Sequence, residues 1–173
     1  MMDKFAAIDF RNAHLDEHPA LIGFLLDQGA NPWNHLPTDG VKETFSQVAR
    51  GEGEILLACA DAEVIGLCIF LLPGALPAKY RQYAQSRTAV YVSEVTVHRD
   101  AVGQGLGSEL LRRTIDQARI LEAQLVLIDR HEENLASAGM MRKAGFIELR
   151  TFVDLERRDY GSRKTTVMGY GLG

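Results

Sequence analysis

The sequence predicts a mixed α/β (α+β) fold: a seven-stranded, mostly antiparallel sheet with one central parallel β-α-β unit and about four helices packed on it. Three observations predict it. Several β-rich runs are joined by short turns. One stretch, Ala89 to Ile128, reads strand, glycine turn, helix, strand, which calls for a right-handed parallel crossover. The chain has 173 residues, the length of one domain over 1–173, and its 46% hydrophobic against 24% charged residues supply a packed core.

Taken in order, Phe5 to Phe10 reads as a first strand, and Ala20 to Leu26 as a helix closed by Gln28, Gly29 and Ala30. Asn31 to Gly40, with Pro32, Pro37 and a turn-type end, reads as a loop. Val41, Phe45 and Val48 recur at helical spacing, so a second helix ends near Gly51. Glu54 to Ala60 and Glu63 to Leu72 are β-rich and meet at Asp61-Ala62, a hairpin signal. Pro73 to Thr88 is broken by Pro73, Gly74 and Pro77 and reads as irregular. Ala89 to Val97 is the next strand. Ser108 to Leu121 sets Leu110, Leu111, Ile115 and Ala118 on one face of an amphipathic helix. Ala123 to Ile128 is a short buried strand. Asn134 to Ala144 is a helix, with Gly145 where a left-handed cap belongs. Phe146 to Leu155 and Lys164 to Tyr170 are the last strands, and Glu156 to Arg163 the turn between them.

Composition removes several classes of function. A net charge of -4 leaves no basic footprint for nucleic acid. The longest apolar run, Val64 to Leu72, falls far short of the roughly 20 residues that span a bilayer. The first residues lack the charged-then-apolar pattern of a signal peptide, so no membrane partner is expected. Cys59 and Cys68 lie in apolar strands and read as buried free thiols of a reducing compartment. They are too few for a zinc site, and no histidine shows ligand spacing beside them, so no metal is expected. These features together predict a cytoplasmic protein.

The most informative stretch is Val95 to Leu111, where a strand runs into Gly103, Gly105 and Gly107 and a helix follows. A helix N-terminus offers unpaired N–H groups and a positive dipole end, and glycine lets the backbone approach a ligand. Together they make an anion cradle suited to a pyrophosphate. A tight strand-to-helix turn with no ligand explains the same residues equally well. There is no Gly-Lys-Ser/Thr of a P-loop, and the spacing is Gly-x-Gly-x-Gly rather than the dinucleotide Gly-x-Gly-x-x-Gly.

These residues resemble the main motif of the GNAT family of N-acetyltransferases: a strand with a Val-x-Pro-like end, then Arg/Gln-x-x-Gly-x-Gly/Ala opening a helix. Here the match is Val97-His98-Arg99, then Val102-Gly103-Gln104-Gly105-Leu106-Gly107. Val102 stands where Arg or Gln is usual, and Arg99 where Pro is common. A second motif, Asn-x-x-Ala/Ser, often Tyr, then Gly-Phe, falls on Asn134, Ser137, Met141, Gly145 and Phe146. Asn134, Ser137 and Met141 share one helix face. The likeness spans roughly Glu54 to Leu172.

The resemblance implies the acyl-CoA N-acyltransferase fold, acetyl-CoA as co-substrate, and a small-molecule or peptide amine as acceptor; homodimers are common in the family. It implies that Val102, Gly103, Gln104, Gly105, Leu106, Gly107 and Ser108 surround the pyrophosphate. Val95, Thr96 and Val97 would pair with the pantetheine arm, with the Val97 amide on the acetyl carbonyl. Asn134, Ser137 and Met141 would lie beside the arm and the sulfur. Asn134 also reads as a plain N-cap.

For the chemistry, the sequence offers Glu94 and Tyr91. A carboxylate inside an otherwise apolar strand is costly without a partner or a role, so Glu94 is the candidate base. A solvated face or an arginine partner explains Glu94 as readily. Tyr91, three residues earlier, shares its face only if a bulge intervenes. Met141 replaces the tyrosine that many relatives use as acid, leaving Tyr91 and Tyr170 as unplaced alternatives. Arg142 and Lys143 could reach a CoA phosphate, and Lys79, Arg81 and Arg87 could attract an acidic substrate; solvated surface charge explains all five. Trp33 and His35 could wall a substrate site or shield it from solvent. The alternative function is a non-catalytic acyl-CoA-binding sensor of the same fold.

Overall fold

The computed structural model describes residues 3–34 and 36–173. His35, considered above beside Trp33, lies outside the described residues. One seven-stranded sheet runs in the order β1-β2-β3-β4-β5-β7-β6. Its strands are β1 Asp9–Asn12, β2 Gly53–Ala60, β3 Glu63–Leu71, β4 Ala89–Val97, β5 Leu125–His131, β6 Ile147–Val153 and β7 Lys164–Gly171. Every pairing is antiparallel except β4 with β5. The helices are α1 His18–Gln28, α2 Thr38–Ala49, the short α3 Arg81–Ala84, α4 Leu106–Ile120 and α5 Leu135–Lys143.

The two sheet faces are covered by different helices. Leu110, Leu111, Ile115 and Ala118 of α4 and Met141 of α5 pack on Leu56, Cys68, Val90, Val92 and Val126. On the other face, Leu21 and Leu25 of α1 and Val41 and Phe45 of α2 cover Ile55, Leu57, Leu67 and Ile69. Beside them the segment before β4 buries Tyr80 and Ala84 against Tyr91, Leu125 and Leu127. Each element alternates or repeats its apolar residues toward one of these layers, which is why the pattern was readable.

Local chemistry sets the turns. Asp61 and Ala62 both take positive φ, 49° and 67°, as the two-residue hairpin demands. Helix α5 ends in a Schellman motif: the Gly145 amide (φ 101°) donates to the Arg142 carbonyl and the Phe146 amide to Met141.

Several boundaries differ from expectation. Phe5 to Phe10 is mostly not a strand. Asp3 turns the chain by accepting from the Phe5 amide at 3.0 Å, and pairing begins only at Asp9. Phe5 and Ile8 pack on the core from that turn, so their apolar character mimicked a pleat. Helix α2 begins at Thr38, inside the expected loop, with Asp39 in its first turn where the dipole favours an acid. Helix α4 begins at Leu106 rather than Ser108, because Gly105 at φ 82° is already its cap. Strand β5 runs on past Ile128 to His131 and carries Asp129 into the sheet. Strand β6 is shorter than Phe146 to Leu155, and β7 one residue longer than expected.

Candidate active site

Strands β4 and β5 pair only from Ala89/Leu125 to Val92/Ile128, although β4 continues to Val97 and β5 to His131. Beyond that vertex they part, and β4 residues 93–97 lack a strand neighbour on that side. A cleft of about 540 Å³ opens there, between the N-terminal ends of α4 and α5 and the loops after α1 and β6.

The α4 end of the cleft is the glycine turn. Gly103 and Gly105 take φ of 87° and 82°, the left-handed region that glycine enters without strain. Among the described residues no side chain caps α4. The first intrahelical bond is from the Glu109 amide to the Gly105 carbonyl, so the amides of Leu106, Gly107 and Ser108 remain unpaired within the helix. A Cβ on Gly107 would press on the Met140 sulfur, so glycine is what lets α4 and α5 approach here. The Ser108 hydroxyl donates to the Met140 carbonyl at 2.8 Å and ties the same two helices. The cradle is thus made of backbone donors. Nearby, the Thr96 hydroxyl is buried and has no partner among the described residues. Unused donors and a buried orphan hydroxyl on one cleft fit a phosphate-bearing, amide-bearing ligand.

On the facing wall, Asn134 caps α5: its Oδ1 accepts from the Ser137 amide at 3.1 Å. Its amide nitrogen makes no hydrogen bond among the described residues. Met141 is buried and still reaches the cleft wall. Lys143 lines the cleft, whereas Arg142 is engaged with Glu148 at 2.9 Å.

The vertex of the cleft holds the ionisable groups. A register shift in β4, where Ile69 faces Glu94 but Phe70 faces Val92, leaves Ser93 as a bulge. Tyr91 and Glu94 thereby fall on one face, which the sequence allowed only with such a bulge. Burial pushes the Glu94 carboxyl up to about 7, with Arg157 the main influence pulling it back. Asp129 accepts from the Tyr91 hydroxyl at 2.7 Å, from Arg157 Nη1 at 2.8 Å, from Arg158 Nη2 at 3.2 Å and from the Tyr80 hydroxyl. Burial disfavours its charge, but Arg157 and the hydrogen bonds from Arg157, Tyr80 and Tyr91 outweigh that and hold the carboxyl down at about 2. Burial and the Asp129 charge raise both tyrosines, so each stays protonated and donates.

Aromatic side chains gather at the far end. Trp33, from the loop after α1, stacks near His131 at 4.9 Å and edge-on to Tyr160 at 5.2 Å. Its carbonyl accepts from Arg158 at 3.5 Å, linking the two sides of the cleft.

Glu94, Val95, Thr96, Val97, Val102, Gly103, Gly105, Leu106, Gly107, Ser108, Asn134, Ser137 and Met141 all line this cleft. Gln104 is exposed outside the lining, and Tyr91 is buried just behind it. Tyr170 is elsewhere, packed on Phe146 and Gly145. Asp129, Arg157, Arg158 and Asn34, a cleft-wall residue whose side chain favours the charged form of Glu94, were not anticipated. An acid in the apolar run Leu125 to Asp129 and the adjacent Arg157-Arg158 were the available signals.

The family model described as Acetyltransferase (GNAT) family matches residues 9–146. The chain belongs to the GNAT family of acetyltransferases. An L-methionine sulfoximine/L-methionine sulfone acetyltransferase of Pseudomonas aeruginosa is 28% identical over 142 residues, 79% of this chain and 78% of that protein. Among solved structures, a ribosomal-protein-alanine N-acetyltransferase from Brucella melitensis superposes with a TM-score of 0.74 at 21% identity, covering 95% of this chain and 99% of that one. The Salmonella typhimurium protein yncA, solved with its cofactor acetyl-CoA, gives 0.72 at 21% identity, covering 96% and 94%. The GNAT fold, with its seven-stranded mixed sheet, is shared by both. Among the described residues no group of His, Cys, Asp and Glu could hold a metal ion, and no helix is long and apolar enough to cross a membrane.

Proposed function

We propose that this chain is an acetyl-CoA-dependent N-acetyltransferase that acetylates a primary amine of a small molecule or peptide by direct transfer in a ternary complex. The observation that carries this reading is that a carboxyl with its pKa near 7, Glu94, opens on the same cleft as the uncapped α4 N-terminus. Acetyl-CoA supplies the acetyl group as a thioester, whose carbonyl the amine attacks with release of the CoA thiol. The relatives named above act on small amino-acid analogues and on a ribosomal-protein alanine, which supports an amine acceptor.

Each residue has a defined task in this reading. The amides from Val102 to Ser108 hold phosphate, those of Val95, Thr96 and Val97 align the arm, and the Val97 amide polarises the acetyl carbonyl. Asn134, Ser137 and Met141 form the opposite wall. Glu94 takes the amine proton, and a pKa near the working pH suits that task. Tyr91 gives its hydroxyl proton to Asp129, so its task is to hold the vertex and Arg157 in place rather than to move a proton. Met141 has no proton to give, so the thiolate leaves unprotonated or takes its proton from water or another group. Buried free thiols at Cys59 and Cys68 suit the cytoplasm.

The test is CoA thiol release from acetyl-CoA across polyamines, amino acids, aminoglycosides and peptide N-termini, alongside thermal shift with acetyl-CoA. Turnover above background with any amine supports the proposal. Stabilisation by acetyl-CoA with no release supports the second reading, a non-catalytic acyl-CoA sensor, which the acid-free Met141 position favours. No stabilisation and no release overturn both.

A further inference from the structure

The acceptor end of the cleft contains a positive charge with unused hydrogen-bonding capacity. Arg157 lines the cleft, and its side chain is 33% exposed. Among the described residues only its Nη1 is engaged, with Asp129 at 2.8 Å and the Tyr80 hydroxyl at 3.5 Å. Nε and Nη2 make no hydrogen bond among the described residues, and neither is sealed in the interior. That edge of a guanidinium is the fork that binds a carboxylate through two parallel bonds. Arg158, in contrast, is spent: its three nitrogens go to Thr165, the Trp33 carbonyl and Asp129.

The charges around the vertex suit an acceptor of no net charge. Asp129 faces both Arg157 and Arg158, and Lys79 adds a cation acting on the same group. Asp154 is one step away, reached through the Thr165 hydroxyl at 2.7 Å. With Glu94 ionised as a base, the cations Arg157, Arg158 and Lys79 balance Asp129, Asp154 and Glu94, and an acceptor that brings both an ammonium and a carboxylate preserves that balance. Trp33 and His131 line this end, with Tyr160 edge-on to Trp33, so the wall beyond Arg157 is aromatic.

Resting on the acetyltransferase reading above, we infer that the acceptor is a compact amine bearing a carboxylate, bound by the free edge of the Arg157 guanidinium with its amine beside Glu94. An α-amino acid carries an amine and a carboxylate on one carbon, which suits a candidate base and a free guanidinium edge that line one cleft and influence each other electrostatically. Arg157 is then the residue that separates amino acids from simple amines, and its hold by Asp129 and Tyr80 fixes the fork in place.

Isothermal titration into protein saturated with CoA tests this, because it reads binding whether or not acetyl transfer occurs. Leucine is compared with isoamylamine, phenylalanine with phenethylamine, and methionine sulfone with its decarboxylated amine; trialanine represents an extended acceptor. The amino acid of at least one pair is expected to bind about tenfold or more tighter than its amine and tighter than trialanine. Arg157→Lys, which keeps a cation for Asp129 but removes the fork, is expected to abolish most of that preference with CoA affinity unchanged. Amines or trialanine binding as tightly as every amino acid, no binding by any amino acid, or a preference that survives Arg157→Lys overturns the inference. Should the variant fail to fold, the wild-type comparison alone decides. Failure of the acetyltransferase reading looks different: the amino acid binds selectively, yet acetyl-CoA gives no thiol release.

Discussion

Tyr91 on β4 and Asp129 on β5 are joined by a 2.7 Å hydrogen bond that crosses the two strands at the point where they part. The bond pins the vertex of the cleft, and Asp129 also neutralises Arg158, whose side chain is 4% exposed. Removing only the hydroxyl and removing the charge should therefore differ. Tyr91→Phe forfeits one hydrogen bond to a carboxylate, a loss of about 1.5–3 kcal/mol. Asp129→Asn leaves buried guanidinium charge uncompensated, and about 3–5 kcal/mol is expected to go. Urea denaturation of the two variants measures the difference, and equal losses would show that Asp129 is no charge anchor. The pH dependence has a definite sign. The Asp129 carboxyl is lowered from 3.8 to about 2, so its stabilising contribution is intact above about pH 4 and is lost as pH falls toward 2. Stability of Asp129→Asn should be flatter over that interval than that of the parent.

Glu94 couples stability and activity in opposite directions. Its carboxyl is raised from 4.5 to about 7, so the folded chain holds a proton that the unfolded chain has already released. Between those values stability falls as pH rises. Glu94→Gln mimics the protonated form and is expected to raise Tm at pH 8 relative to the parent. The same change removes the proton acceptor, and kcat should drop by about a hundredfold or more with acetyl-CoA affinity unchanged. In the parent, acetylation should rise with pH through an apparent pKa near 7. A pH profile identical in Glu94→Gln and parent would assign the proton to another group.

The contrast between what the sequence displayed and what it hid follows from sequence distance. The glycine turn is local: Val97 to Ser108 hold their geometry through glycine φ and a helix terminus, so the spacing displays the turn, and the family resemblance is what reads it as a phosphate cradle. Asn134, Ser137 and Met141 are singled out by the family resemblance, and helical periodicity adds only that they share one face. The acidic vertex is assembled from four separate segments, with Tyr80, Tyr91, Asp129 and Arg157 meeting only in the folded chain. No periodicity links them. The stretch Glu156 to Arg163 therefore reads only as the turn between the last strands, although Arg157 and Arg158 fold inward from it. Phe5 and Ile8 failed for the opposite reason: apolar side chains packing from a turn are indistinguishable in sequence from those of an edge strand.

Asn134 offers a clean separation of cap and ligand roles. Its Oδ1 already serves the Ser137 amide, while its nitrogen is free of partners among the described residues. Asn134→Asp keeps an acceptor for the cap and should leave stability within about 0.5 kcal/mol, while Asn134→Ala should cost about 1 kcal/mol. Both lack the amide donor, so both are expected to weaken acetyl-CoA binding alike, several-fold by titration. If Asn134→Asp binds acetyl-CoA as the parent does, the residue is a cap alone.

Gly105 tests whether backbone conformation, rather than any side chain, makes the cradle. It caps α4 at φ 82°, and a Cβ there would meet only the Lys4 ammonium at 3.6 Å. Space is available, so substitutions act through φ. Asparagine tolerates the left-handed region, whereas a β-branched residue does not. Gly105→Asn is expected to stay within about 1 kcal/mol of the parent, and Gly105→Val to lose about 1–3 kcal/mol or relax by rotating the turn. Rotation would swing the amides of Leu106, Gly107 and Ser108 out of alignment, so the rise in Tm that acetyl-CoA gives the parent should largely vanish in Gly105→Val and largely persist in Gly105→Asn. A full ligand-induced shift in Gly105→Val would mean that phosphate is held by something other than these amides, with Lys4 and Lys143 the nearest cations to examine.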